Sequence, residues 1–252
     1  MKKTIFLLPL LAFCGLFYCI SAQDEMKPED TEVWEPEPVK IDPGESAASP
    51  PSDAIILFNG QDMSAFNIPE GTEWVVGNGM VTISPSEEKR ETPVVITTKQ
   101  EFGDIQLHVE WRSPAEVRGE GQRRGNSGIF LQQRYEIQVL DNYNNRTYSN
   151  GQAASVYKQQ IPLVNACRPP GEWQTYGIIY TAPRFTEAGE LESPAYVTVM
   201  HNGVLVQNHT EILGPIKFIG YPEYEPHPLK QPLGLQDHGD AVSYRNIWVR
   251  EL

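Results

Sequence analysis

A chain of 252 residues with 33 acidic against 20 basic side chains carries a formal net charge of −13. That charge repels nucleic acid and anionic membrane surfaces and leaves an uncharged ligand such as a sugar as the better fit. The 21 prolines and 20 glycines point away from a helical protein and toward one β-rich domain with appendages, long enough to bury a sizeable core.

Residues 1–22 have the layout of a secretory signal: Lys2 and Lys3, an apolar run from Ile5 to about Phe17, then Ile20-Ser21-Ala22, with cleavage expected after Ala22. The apolar run is shorter than the roughly 20 residues a membrane span needs, so no span is expected in the mature chain. The protein is therefore expected in the periplasm or secreted. Lipoprotein anchoring through Cys19 is the less favoured route, because bulky Tyr18 stands where a small residue is required. Cleavage leaves Cys167 as the lone cysteine, expected to be a partly buried, inert thiol. Residues 23–51 are rich in Pro, Glu, Asp, Ser and Ala and read as a disordered acidic tether. The folded domain is expected over residues 52–252.

From there, short apolar runs alternate with turn signals such as Asn59-Gly60, Gly77-Asn78-Gly79, Asn150-Gly151 and Asn202-Gly203. The runs predict strands at 55–58, 74–76, 80–83, 94–97, 105–112, 128–132, 136–140, 173–180, 196–201, 204–210, 233–237 and 242–250, and no stretch holds a helical period for long. The fold class is all-β: a jelly-roll sandwich of two antiparallel sheets. Residues 114–125, 182–194 and 221–232 read as long loops. Arg118, Arg123 and Arg124 in the first are either an anion grip or a solvated loop.

The densest polar pattern lies in Gly125–Asp141. Strand alternation gives Tyr135, Ile137 and Val139 one face and Glu136 and Gln138 the other. Asp141 is one position out of step, and a β-bulge is expected to bring it beside Glu136. The spacing resembles the Glu-x-Asp-x-x-Glu strand of laminarinase-type retaining glucanases. Here Gln138 replaces the middle acid and Asp141 the last, which disfavours a double displacement needing two carboxyl groups roughly 5 Å apart. A hydrated polar sheet face is the bland alternative.

In Leu235-Gln-Asp-His-Gly239, Gln236 and His238 are expected to reach the same cleft from a strand end, His238 as a proton carrier near neutrality. Asn126 in the Gly125-Asn126 turn is a further donor. Glu110 and Arg112 share a strand face and either pair with each other or meet sugar hydroxyls; Tyr157 ranks with them. Trp111, Trp173 and Trp248 read as core, while Tyr143, Tyr148 and Tyr221 sit in loops as sugar platforms. The five histidines do not fall at zinc-ligand spacings, and phosphate-binding and nucleophile-elbow motifs are absent. No cofactor and no metal is expected.

Leu57-Phe-Asn-Gly60 with Asp62, Trp74, Gly125-Asn-Ser-Gly128, Tyr135-Glu-x-Gln-Val-Leu-Asp141, Tyr157, Arg168-Pro-Pro-Gly-Glu-Trp173, His201-Asn-Gly203, Leu235-Gln-Asp-His-Gly239 and Arg245-Asn-Ile-Trp248 together resemble the 3-keto-disaccharide hydrolase domain family. The resemblance spans about residues 53 to 252. It implies a concanavalin-like jelly roll and a carbohydrate substrate, a 3-keto-glycoside, whose C3 ketone acidifies the C2 proton. A base removes that proton, the group at C1 leaves by elimination, and water adds back. Glu136 is expected as base and His238 or Asp141 as acid, with Asn126, Gln138 and Gln236 as donors. A need for ketone at C3 implies glycan-oxidising enzymes as partners. The alternative is a non-catalytic carbohydrate-binding sandwich that serves glycan-degrading enzymes.

Overall fold

A computed structural model describes residues 26–85 and 93–252. The expected signal, residues 1–22, lies outside the described residues. The chain divides into two units, residues 1–40 and 41–252. In the first, every described residue is exposed, and a short 3-10 turn at Pro28–Thr31 is closed by Asp30 Oδ2 accepting from the Lys27 N–H at 2.9 Å.

Fifteen strands lie among the described residues of the second unit. They are β1 (Ile55–Phe58), β2 (Phe66–Asn67), β3 (Trp74–Gly77), β4 (Met80–Ile83), β5 (Val94–Phe102), β6 (Ile105–Arg112), β7 (Ser127–Leu131) and β8 (Tyr135–Val139), followed by β9 (Gln174–Thr181), β10 (Arg184–Phe185), β11 (Leu191–Ser193), β12 (Ala195–His201), β13 (Val204–Ile212), β14 (Gln231–Asp237) and β15 (Ser243–Glu251). One sheet runs β13-β12-β9-β6-β15-β4-β3, with β1 also on β15, and the other runs β2-β5-β14-β7-β8. All their pairings are antiparallel, as a jelly-roll sandwich requires. Asn78-Gly79 and Asn202-Gly203 hold positive φ at both positions and close two-residue hairpins, because the primed turns match the twist of the strands they join.

The core sits between the sheets and is filled by every second residue: Leu107, Val109 and Trp111 from β6, Ile129 and Leu131 from β7, Ile137 and Val139 from β8, and Tyr176, Ile178 and Tyr180 from β9. Emptying one such place, for instance Ile137→Ala, would cost about 2–5 kcal/mol. The hairpin from β7 to β8 turns through Gln132 and Gln133, both left-handed. Gln132 is held there by its own amide, which donates to the carbonyls of Phe102 and Leu229 and accepts from Tyr180 Oη.

Each of the twelve expected strands is present, though β5 extends to Phe102. Within the expected loop 182–194, β10 and β11 pair as a small ribbon. The stretch ahead of residue 52 also differs from expectation: residues 41–51 belong to the compact unit. The Ala48 carbonyl there accepts from Asn246 Nδ2 and Trp248 Nε1 on β15. Among the described residues no helix is long and apolar enough to cross a membrane.

Candidate active site

β8 is buried on both faces, Glu136 at 3% and Gln138 at 1% exposure. Its core-facing residues follow from alternation. Its other face is covered by segments that sequence periodicity does not reveal. Residues 154–157 run along the free edge of β8: the Gln138 N–H donates to the Ser155 carbonyl, Ala154 N–H to the Gln138 carbonyl and Tyr157 N–H to the Glu136 carbonyl. This pairing sets Tyr157 beside Glu136. The Tyr157 and Tyr148 hydroxyls then meet at 2.5 Å.

Under this cover lies a cavity of about 670 Å³, within the range of small-ligand sites. Asn126, Glu136, Gln138, Tyr157, Gln236 and His238, six of the residues singled out from the sequence, line it together. Asn126 is fixed on both sides, its backbone N–H donating to Asp240 Oδ2 and its Nδ2 to the Gln122 carbonyl. Gln236 projects from β14. His238 follows in a turn closed by Asp237 Oδ1, which accepts from the Gly239 N–H. Gln236 Oε1 and His238 Nδ1 are buried atoms with no hydrogen-bond partner among the described residues. Such atoms cost free energy until a ligand or water satisfies them.

Glu136 is the one carboxyl group among the described residues that line the cavity. Burial pushes it up to about 8, because removing a carboxylate from water disfavours its charged form. Its carboxyl lies across Gly128 on the neighbouring strand, where an added Cβ would stand 2.3 Å from Oε1. The Gln138 amide completes the group, lying 3.0 Å from Glu136 Oε1, 2.9 Å from the Ser127 carbonyl and 2.9 Å from Gln122 Oε1.

Three candidates lie elsewhere. The expected bulge at Asp141 does not form: β7 and β8 keep regular register from Ser127↔Val139 to Leu131↔Tyr135, and β8 ends at Val139. Asp141 instead accepts from Arg124 Nε at 2.7 Å and from the Tyr143 N–H at 3.0 Å. It lines a separate cavity of about 400 Å³ with Arg118, Arg123 and Arg124.

Glu110 and Arg112 lie on β6 in the other sheet, on its outward face, so they do not join Glu136. They do not pair with each other either. Glu110 accepts from Arg245 Nε at 2.6 Å and Asn246 Nδ2 at 2.9 Å. Burial pushes its carboxyl up, but hydrogen bonds from His108, Asn246 and Arg245 outweigh that and hold it at about 2. Arg112 and Arg245 stack on Trp173 from 4.8 and 4.1 Å, so this tryptophan is a cation platform rather than core. Trp111 and Trp248 are buried, at 1% and 3% exposure. Burial pushes the Cys167 thiol up to about 12, which keeps it unreactive near neutrality.

Sequence reasoning missed Pro93, Gln122, Ile216 and Phe218 on the cavity wall, and it placed Arg123 and Tyr148 there only as loop residues of a general kind. Ile216, Phe218 and Ile219 form an apolar cluster in a stretch without a strand partner, a signal that could have been used. Gln122 has none, since its role arises from the 3-10 turn Gly121–Arg123 packing onto residues distant in sequence.

A family model described as a 3-keto-alpha-glucoside-1,2-lyase-like domain matches residues 53–250. A crystal structure of a candidate glycosyl hydrolase from Parabacteroides distasonis is 49% identical, with a TM-score of 0.82, over 90% of this chain and 97% of that one. Two more candidate glycosyl hydrolases from the same organism share the fold at 19% and 21% identity, with TM-scores of 0.56 and 0.53. Each covers 79% of this chain, and 94% and 99% of the other. No curated protein matches the sequence.

Proposed function

This chain belongs to the 3-keto-alpha-glucoside-1,2-lyase-like domain family, and from that membership we propose that it cleaves 3-keto-glycosides by elimination across C1 and C2, followed by hydration. The observation that carries the reading is the buried carboxyl of Glu136, single among the described residues that line the cavity, facing a space that also holds an imidazole. A retaining glycosidase needs a second carboxyl roughly 5 Å away. Elimination needs one base, one acid and donors for an enolate oxygen.

Glu136 takes the C2 proton. A carboxyl held near 8 is a stronger base than an ordinary one and still sheds its proton in the working range. The electron pair left at C2 moves toward the C3 carbonyl, whose oxygen becomes an enolate held by amide N–H groups from Asn126 and Gln236. The pair then returns to form the C1–C2 double bond as the C1–O bond breaks, and His238 delivers a proton to the departing oxygen. Water adds at C1 and a proton returns to C2, giving the free 3-keto sugar. Tyr148 and Phe218 offer ring faces at the cavity wall on which a sugar can lie. The same proposal takes residues 1–22 as an export signal, placing the enzyme in the periplasm or outside the cell, supplied by enzymes that oxidise glycans at C3.

The test is to incubate purified protein with a 3-keto-disaccharide and with its unoxidised parent, then repeat with Glu136→Gln. Release of sugar from the keto compound alone, lost in the variant, is the expected result. Turnover of the parent would overturn the keto requirement, and equal turnover by Glu136→Gln would remove Glu136 from the chemistry. Binding of the keto sugar without turnover would make this a carbohydrate-binding module.

A further inference from the structure

The Gln138 amide is caught between four oxygens. Glu136 Oε1 and the Ser127 carbonyl lie 3.0 and 2.9 Å away on one side; Gln122 Oε1 and Asn126 Oδ1 lie 2.9 and 3.4 Å away on the other. An amide has donors at one end only. It can serve either pair, never both.

Its neighbours cannot turn to help. Gln122 Nε2 already donates to Thr147 Oγ1 and the Gly151 carbonyl, and Asn126 Nδ2 to the Gln122 carbonyl. That leaves the proton of Glu136 as the group free to change. Around it, Tyr148 and Tyr157 face the same cavity and Tyr244 approaches from the opposite sheet. Burial raises all three phenols, so they stay protonated. His238 and Arg123 complete the charged or titratable lining among the described residues.

We propose that Gln138 is a positioning residue whose amide makes a half-turn when Glu136 loses its proton, so that the base and the sugar-binding acceptors of the cavity are set together. While Glu136 is protonated, its O–H donates to Gln138 Oε1 and the amide NH2 covers Gln122 and Asn126. Once Glu136 ionises, the NH2 swings to the carboxylate and the Ser127 carbonyl. Gln122 Oε1 and Asn126 Oδ1 then lose their donor, face the Gln138 carbonyl oxygen in its place, and are left to accept from substrate hydroxyls. Coupling of this kind is reciprocal: hydroxyls that occupy the uncovered acceptors hold the amide turned and favour the ionised base. Substrate arrival thus helps to arm Glu136. This rests on Glu136 being the base, but its first test does not.

The Glu136 carboxyl carbon is titrated by 13C NMR in the wild type and in Gln138→Met, which keeps length and loses the amide. Removing a hydrogen bond to a carboxylate is expected to raise the midpoint by about one pH unit. An unchanged or lowered midpoint overturns the proposal. Should Gln138→Met fail to fold, the 15N side-chain resonance of Gln138 in the wild type is expected to titrate with the Glu136 midpoint and to be flat in Glu136→Gln. A resonance that is flat in the wild type also overturns it. A shifted NMR midpoint without a matching shift in the acid limb of kcat/KM upholds the coupling and removes Glu136 from the chemistry instead.

Discussion

Two buried glutamates, each on the outward face of its sheet, end in opposite states. Glu110 lies among Arg245, Asn246 and His108 and is held at about 2; Glu136 lies among an amide and phenols and rises to about 8. Strand alternation presents them identically, so the difference comes from what the rest of the fold brings to each. The Arg245 guanidinium and two further donors make one glutamate a structural anchor. Burial alone shifts the other and leaves it poised near neutrality, the condition for trading protons with a substrate.

The contrast breaks most sharply in catalysis. Glu136→Gln is expected to lower kcat on a 3-keto-glycoside by at least ~100-fold, whereas Glu110→Gln keeps kcat within about threefold, both read from initial rates. In the wild type, kcat/KM should climb as pH rises toward about 8, since the base works only when ionised.

Stability separates them next, with opposite pH dependence. The folded protein holds the Glu136 proton more tightly than the unfolded chain does, so this group costs stability as pH rises from about 4.5 through about 8. Glu136→Gln should therefore unfold near the wild-type denaturant midpoint at pH 5, and at pH 9 be more stable by on the order of 3 kcal/mol. Glu110 works the other way. Its carboxyl is depressed, so its contribution is present above about 4.5 and fades as pH falls toward about 2. Because Arg245 is 42% exposed, Glu110→Gln should cost only about 1–2 kcal/mol at pH 7, a gap that closes in acid. Activity should change least in Asp141→Asn, which is expected to keep kcat within about threefold, although its pair with Arg124 is buried at 3% and 14% exposure and weakening it should cost about 1–3 kcal/mol.

The strands were legible because their apolar residues recur at every second position, as in β6 and β8. The short β10 and β11 carry two and three residues, too few for a period. Alternation put Glu136 with Gln138, and Glu110 with Arg112, on shared faces, and the structure keeps both pairs so. It could not say that the pairs belong to different sheets, because that depends on how the strands are ordered. Asp141 misled for a related reason: its partner Arg124 sits across a turn, and that ion pair holds it outside the strand instead of in a bulge. Gln122 and Phe218 arrive on segments whose place is set only when the chain closes over β8.

Position 128 teaches by what it omits. The hollow beside its α-carbon is the seat of the Glu136 carboxyl, so a single methyl placed there would evict the acid while both strands stayed paired. Under the proposed chemistry, relatives with a bulkier residue at this point are expected to retain the architecture and lose the seat of its base, so one glycine would sort active from silent copies.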